Sequence, residues 1–324
     1  MNPTEWSKKI QNGDKLALSK AITEIESDTS IGHDILASSF QFTGNAQTSG
    51  FTGSAGAGKS TLVRAVIKEQ IARGKKTAVI AIDPSSPFSQ GAILGDRIRM
   101  QDLTNNELVF IRSMASRKSL GGIASSSVNV MNLFDSAGFD VVIIETVGAG
   151  QDEVDIAKIA QSTVIVANPS SGDEVQSMKS GLMEIGQVFA VNKSDLPGSD
   201  AALAHINSLI ALAGNLKWKP PALKVIAKDE IGISELVDAI DKHQAFIRQQ
   251  DNWSDYRYSM AKKQVESIVK SMTYNDLLEK LDNQSITEKM IENVIKLCKK
   301  YFIIITPNRY YPIEFHSKLP LIHW

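Results

Sequence analysis

Seven apolar runs recur between residues 48 and 227, and they constrain this 324-residue chain more than any other feature. They are TSGFTG (48–53), TAVIAI (77–82), LVFIRS (108–113), DVVIIET (140–146), TVIVAN (163–168), QVFAVN (187–192) and ALKVIA (222–227). Most are near-continuous in Val, Ile and Phe rather than alternating with polar residues, as expected for strands buried on both faces of a mostly parallel sheet. Helical spacing fills the stretches between them, so residues 46–250 read as an α/β domain with a doubly wound sheet. Residues 1–45 read as an N-terminal helical extension whose stripe Leu18, Ala21, Ile22 and Ile25 should pack on that domain. Beyond residue 250 the pattern is helical without strands. Ala261, Val265, Ile268, Val269 and Met272 form one stripe, and Met290, Ile291, Val294, Ile295 and Cys298 form another after a Ser285/Glu288 capping box. Residues 251–324 are thus expected to be a C-terminal helical arm with a tail from Tyr301 that fits no regular element.

The first apolar run leads directly into Gly53-Ser54-Ala55-Gly56-Ala57-Gly58-Lys59-Ser60, a GxxxxGKS phosphate-binding loop, and Thr61 continues the helix that opens at Lys59 and runs to Ala72. A strand, a Gly-rich turn and a helix in that order are the context the motif requires. The turn aims backbone N–H groups at the α- and β-phosphates, and the helix adds its positive end. Lys59 should reach the β- and γ-phosphates, and the Ser60 hydroxyl should bind Mg²⁺.

Composition narrows the partners. Lys and Arg number 35 against 36 Asp and Glu, and no block of like charge marks a nucleic-acid arm or an anionic-membrane footing. The single cysteine, Cys298, allows no intrachain disulfide and no CxxC site, and His33, His205, His243, His316 and His323 are scattered. The amino terminus MNPTEWSKKI has no apolar targeting core, and no window approaches the ~18 apolar residues of a membrane span. A soluble, cytoplasmic protein without nucleic-acid or membrane partners is expected.

Four further places in the chain carry chemistry. Asn192-Lys193-Ser194-Asp195 is an NKxD tetrapeptide at the end of a strand, where parallel sheets place ligands. The Asp195 carboxylate can accept from guanine N1–H and N2–H₂, a donor pair adenine lacks. Lys193 can lie over the ring, and Asn192 can brace the phosphate loop. GTP is favoured over ATP. Glu145-Thr146-Val147-Gly148 ends another strand as ExxG, where Glu145 can orient a water or a metal-bound water and the Gly148 N–H can sense the γ-phosphate. Asp83 and Asp96 are further hard oxygen donors suited to Mg²⁺, although each could also be an ordinary cap or loop residue.

GFTGSAGAGKSTL, AIDPSSPFSQGAILGDRIRM, FIRSMASRKSLGGIA, VVIIETVGAGQDEVDIA and ANPSSGDEVQSMKSG occur in that order. In sequence and spacing they resemble the methylmalonyl-CoA mutase-associated GTPases, a family also labelled arginine/ornithine transport kinases. The likeness extends from about Gly13 to about Ile247. It implies a P-loop GTPase that binds GTP and GDP with Mg²⁺ and works as a homodimer. It further implies a G-protein chaperone of an adenosylcobalamin-dependent acyl-CoA mutase, gating cofactor loading and protecting the enzyme. By position, Lys59 and Ser60 match the family's phosphate-loop residues, and Asp83, Asp96 and Glu145 match its acids around Mg²⁺ and the attacking water. Asp173, Gln176 and Lys179 match polar positions of an additional switch segment.

The chain departs from the family pattern in places. Ala55 stands where Pro is common, and Ser170 and Ser171 stand at small Gly/Ala positions. Ile226-Ala227-Lys228 replaces a Ser-Ala pair at the guanine O6 edge, where the backbone N–H of Ala227 or Lys228 can still donate. The alternatives are an ATP-dependent kinase, which NKxD argues against, and a metal-delivery GTPase, which would need His-rich or Cys-x-Cys ligands.

Overall fold

The computed structural model describes residues 3–84, 101–116, 125–146, 156–169, 180–214, 216–249, 303–304 and 314–315. The amino-terminal segment forms α1 (Pro3–Gln11), α2 (Lys15–Glu26) and α3 (Ser30–Ser39), followed by a short 3₁₀ turn at Phe40–Phe42. Asp14 starts α2 by accepting the N–H groups of Leu16 and Ala17, and Thr29 starts α3 by accepting that of Gly32. These caps fix where the apolar stripe begins, and Ala17, Leu18, Ala21, Ile22 and Ile25 are all buried.

The apolar runs become β1 (Gln47–Thr52), β2 (Thr77–Pro84), β3 (Val109–Ser116), β4 (Val141–Thr146), β5 (Ser162–Ala167), β6 (Val188–Val191) and β7 (Ala222–Lys224). They form one sheet in the order β3-β2-β4-β1-β5-β6-β7, with every neighbouring pair parallel. Between the strands lie α4 (Lys59–Ala72), α5 (Gln101–Thr104), α6 (Ser125–Ser136), α7 (Ser180–Ile185), α8 (Ser199–Leu212) and α9 (Ile233–Gln249).

Period-two side-chain alternation explains why the strands read as unbroken apolar runs. Val79, Val141, Ile143, Val164 and Val188 pack with α4 and α9 on one face. Their neighbours Ala78, Ile80, Val142 and Ile144 pack with α1, α2, α3 and α6 on the other, while Ile165, Phe189 and Val191 meet α8. The helical extension is therefore part of the core. Asp135 of α6 secures the link into β1 by accepting the N–H groups of Gly44, Asn45 and Ala46.

The chain divides into two compact units, Met1–Ser267 and Ile268–Trp324, and the sheet belongs to the first. In the tail, where the sequence names no regular element, Ile303–Ile304 pairs antiparallel with Glu314–Phe315. The two helical stripes expected before it lie outside the described residues. No helix among the described residues is long and apolar enough to cross a membrane.

At the amino-terminal edge of the sheet, His243 of α9 is buried with its Nδ1 2.8 Å from the Ser162 hydroxyl, and the Trp218 ring stands 4.9 Å away. Burial pushes the imidazole down to about 4 from an ordinary 6.5, so it is held neutral. The unfolded chain takes up its proton first as pH falls. The stabilisation is complete above 6.5 and declines between 6.5 and about 4, by roughly 1.4 kcal/mol per pH unit. Urea unfolding of wild type and His243→Gln between pH 7.5 and 5 checks this: the variant should be less stable at pH 7.5 and show a shallower fall below 6.5.

Candidate nucleotide-binding site

All seven strands point their C-terminal ends to one edge of the sheet, and the motif residues converge there. The chain leaves β1 at Gly53, whose φ of +143° and close approach to β5 both exclude a side chain. A Cβ there would sit 2.1 Å from the Val166 carbonyl oxygen. Gly58 closes the loop with φ +85° as the residue before α4, and a Cβ on it would lie 2.4 Å from Asn192 Nδ2. The first turn of α4 contributes N–H groups that no helical carbonyl can reach, which is the donor set a phosphate needs.

Lys59 is buried under this loop, with Nζ donating to the carbonyls of Gly53 at 2.6 Å and Ser54 at 2.8 Å. Its ammonium lies inside the turn, where exchanging these carbonyl partners for phosphate oxygens would need only a small movement. Ser60 donates from Oγ to Glu145 Oε1 at 2.5 Å. Parallel pairing places Glu145 beside Phe51 of β1 and Ala81 of β2, with its side chain buried. A hydroxyl and a carboxylate joined in this way form a hard oxygen pair of the kind Mg²⁺ selects. The backbone of Asp83 lies one residue beyond the level of Thr146 on the adjoining strand, since Ile82 pairs with Thr146. Ser54, Ala55, Gly56, Ala57 and Thr61 complete the loop and its helix start, with Ala55, Gly56 and Thr61 exposed and Ala57 buried.

Asn192 follows β6 and ties two loops together. Its Nδ2 donates to the Ala57 carbonyl at 2.9 Å and reaches that of Gly58 at 3.4 Å, while its Oδ1 accepts from the Ala227 N–H at 3.1 Å. Lys193 adopts φ +56° and sends Nζ to the Gly56 carbonyl at 2.8 Å. Asp195 is exposed in the turn that follows, where the Leu196 N–H closes on the Lys193 carbonyl at 3.0 Å. The segment after β7 forms a closed ring: Ile226 and Ile231 exchange hydrogen bonds at 3.0 and 3.2 Å around the 3₁₀ turn Ala227–Asp229.

Of the two backbone donors available there, Asn192 takes that of Ala227. Lys228 stands exposed at the turn, with its N–H in no hydrogen bond among the described residues. Sequence reasoning does not find this division, because nothing local marks the Ala227 amide as occupied. Asp96, Gly148, Asp173, Gln176 and Lys179 lie outside the described residues, and of Asp83 only the backbone is described. Asp102 follows the segment that carries Asp96. Arg64 of α4 grips it through a fork of 3.2 and 2.5 Å, and that hydrogen bond lowers the Asp102 carboxyl below its usual range.

A family model described as methylmalonyl Co-A mutase-associated GTPase MeaB matches residues 18–285. A putative GTPase of Pyrococcus abyssi is 42% identical over 269 residues, covering 82% of this chain and 83% of its own length. The GTPase ArgK of Escherichia coli is 36% identical over 245 residues, covering 73% and 74%. Among solved structures, a LAO/AO transport system kinase superposes with a TM-score of 0.72 at 25% identity, over 92% of this chain and 98% of its own.

The Asn192 bridge has a measurable consequence. In Asn192→Ala, two buried backbone groups lose their partner at about 1–3 kcal/mol each. The melting temperature should fall by several degrees, and the stabilisation by added GDP should largely vanish. Thermal unfolding with and without GDP measures both, and an unchanged GDP-induced shift would remove the bridge from the binding site.

Proposed function

Because this chain belongs to the methylmalonyl Co-A mutase-associated GTPases, we propose that its GTP cycle serves as the switch of a chaperone for an adenosylcobalamin-dependent acyl-CoA mutase. The chain is a P-loop GTPase, and it binds GTP and GDP. The observation that carries the nucleotide reading is the Asn192 carboxamide, which holds the phosphate loop and the loop after β7 at one fixed separation. The family's association with the mutase supports the client, and gating of cofactor loading with protection of the enzyme is the role proposed for the switch. The same likeness supports a homodimer, with the helical arm that begins at residue 251 as the dimerisation region.

In this reading the loop amides and Lys59 hold the phosphates, and the Lys193 stem covers the base. Asp195 accepts from guanine N1–H and N2–H₂, and the Lys228 N–H donates to O6. Ser60 and Glu145 would hold Mg²⁺ together with Asp83 and Asp96, and the pair of hard oxygens from Ser60 and Glu145 fits that ion. The metal would supply positive charge against the β- and γ-phosphates as negative charge moves in the transition state. Glu145 also orients the attacking water, and Gly148 reports the γ-phosphate to the segment that follows. Asp173, Gln176 and Lys179 pass that change to the mutase.

Phosphate release from MgGTP and, separately, MgATP, with and without the mutase from the same source, tests the proposal. Slow GTP turnover accelerated by the mutase, with ATP inert, is expected. ATP turnover indifferent to the mutase would replace it with a kinase. Lys59→Ala should abolish turnover, and persistence at the wild-type rate would refute the phosphate-loop role.

Asp195→Asn exchanges an acceptor for a side chain with its own N–H donors, so guanine loses charge-assisted bonds worth about 1.5–3 kcal/mol each. GDP affinity should fall by about tenfold or more, while xanthosine diphosphate, which has a carbonyl at C2, gains. Competition binding with the two nucleotides decides it.

A further inference from the structure

Helix α4 starts at the phosphate loop and carries cations at Arg64 and Lys68, four residues apart and so on one face. Arg64 is engaged by Asp102. Lys68 reaches Glu230 instead, with Nζ to Oε1 at 2.5 Å. Glu230 closes the turn Ala227–Asp229 in the left-handed region at φ +58°, a conformation that normally falls to Gly or Asn. A long side chain in that region at a functional loop is an outlier that needs a reason. Here the carboxylate is tied to α4, and the ring from Ile226 to Ile231 is drawn toward the helix that begins at Lys59.

From Ser60 to Lys68 the helix advances by roughly 12 Å, so one rigid rod joins the phosphate-binding residues to the loop that carries Lys228. Both side chains are partly exposed, Lys68 by 35% and Glu230 by 47%, so the pair adds little to global stability. Its leverage is local, because Glu230 follows Lys228 by only two residues.

We propose that Lys68 and Glu230 are positioning residues that hold the Lys228 N–H against the O6 edge of guanine, so that α4 couples base recognition to the phosphate loop. The inference rests on the reading of Ile226–Ile231 as the base loop.

The test uses the full chain and compares the dissociation constants of GDP and 2-aminopurine riboside diphosphate, which keeps the 2-amino group but has neither O6 nor N1–H. Lys68→Met removes the cation. Glu230→Gly removes the carboxylate while leaving a residue at ease with the left-handed backbone, so folding is preserved. Each should weaken GDP by about two- to fivefold and leave the 2-aminopurine nucleotide unchanged. Lys68→Arg, or the charge swap Lys68→Glu with Glu230→Lys, should restore GDP. Equal weakening of both nucleotides would mean general scaffolding and would overturn the proposal, as would unchanged GDP affinity in both single variants. A wild-type protein that binds the two nucleotides equally well would instead remove the O6 reading on which the proposal stands.

Discussion

The separation between the phosphate loop and the loop after β7 depends on one buried carboxamide. Asn192 stands at the end of β6, and the loop it braces leaves β1, with β5 between them. Two strand spacings amount to about 9.5 Å, and the gap is bridged because every strand in this sheet ends at the same edge. An antiparallel neighbour would bring the start of one strand beside the end of the other, and the side chain would meet the wrong loop. The amide also decides a residue far from it in sequence. With Nδ2 2.4 Å from where a Cβ would be, position 58 accommodates only glycine unless the amide moves, quite apart from its φ of +85°. Motif and bridge are thus two descriptions of one packing constraint.

The strands were legible because burial on both faces leaves a dense apolar signature, and β1 to β7 coincide with the seven runs with shifts of up to three residues at their ends. Helix α4 begins at Lys59 and ends at Ala72, where the phosphate-loop pattern and the apolar spacing put it. The stripe Leu18, Ala21, Ile22 and Ile25 was readable for the same reason: periodicity is local, and the buried face follows from it. Non-local pairings left no such trace. Gly53 lies against the Val166 carbonyl, Ala227 gives its N–H to Asn192, and His243 meets Ser162 across 81 positions of chain. None of these contacts changes the composition around either partner. Glu230 is the clearest case, because its left-handed backbone belongs to a residue type that sequence rules assign elsewhere.

The helical extension bears on the site through the sheet. Helices α1 to α3 and α6 bury the face opposite α4 and α9, so β2 and β4 are clamped between two layers. Arg112 of β3 pairs with Glu26 at the end of α2, and Lys15 at its start donates to the carbonyls of Asn106 and Val109. Both ends of α2 are therefore pinned to the outer strand of the sheet and the turn that leads into it. A clamped sheet is a poor hinge. The switch proposed for this chain therefore has to act outside the sheet, and Glu145 and Asp83 stand at the carboxyl-terminal ends of β4 and β2.

The choice of glutamate at 145 follows from the same geometry. Its strand position lies level with Phe51, before the chain has entered the phosphate loop, yet its partner Ser60 is the second residue of α4 beyond that loop. An aspartate is shorter by one methylene, about 1.5 Å, and from an unmoved strand it would leave the Ser60 hydroxyl outside the 2.5 Å contact observed. The added methylene costs little inside a packed sheet, because β4 is buried along its whole length. In the proposed magnesium site Ser60 Oγ and the Glu145 carboxylate would be the oxygens that hold the ion. The hydroxyl would then ligate directly while the longer acid kept enough freedom to hold a water.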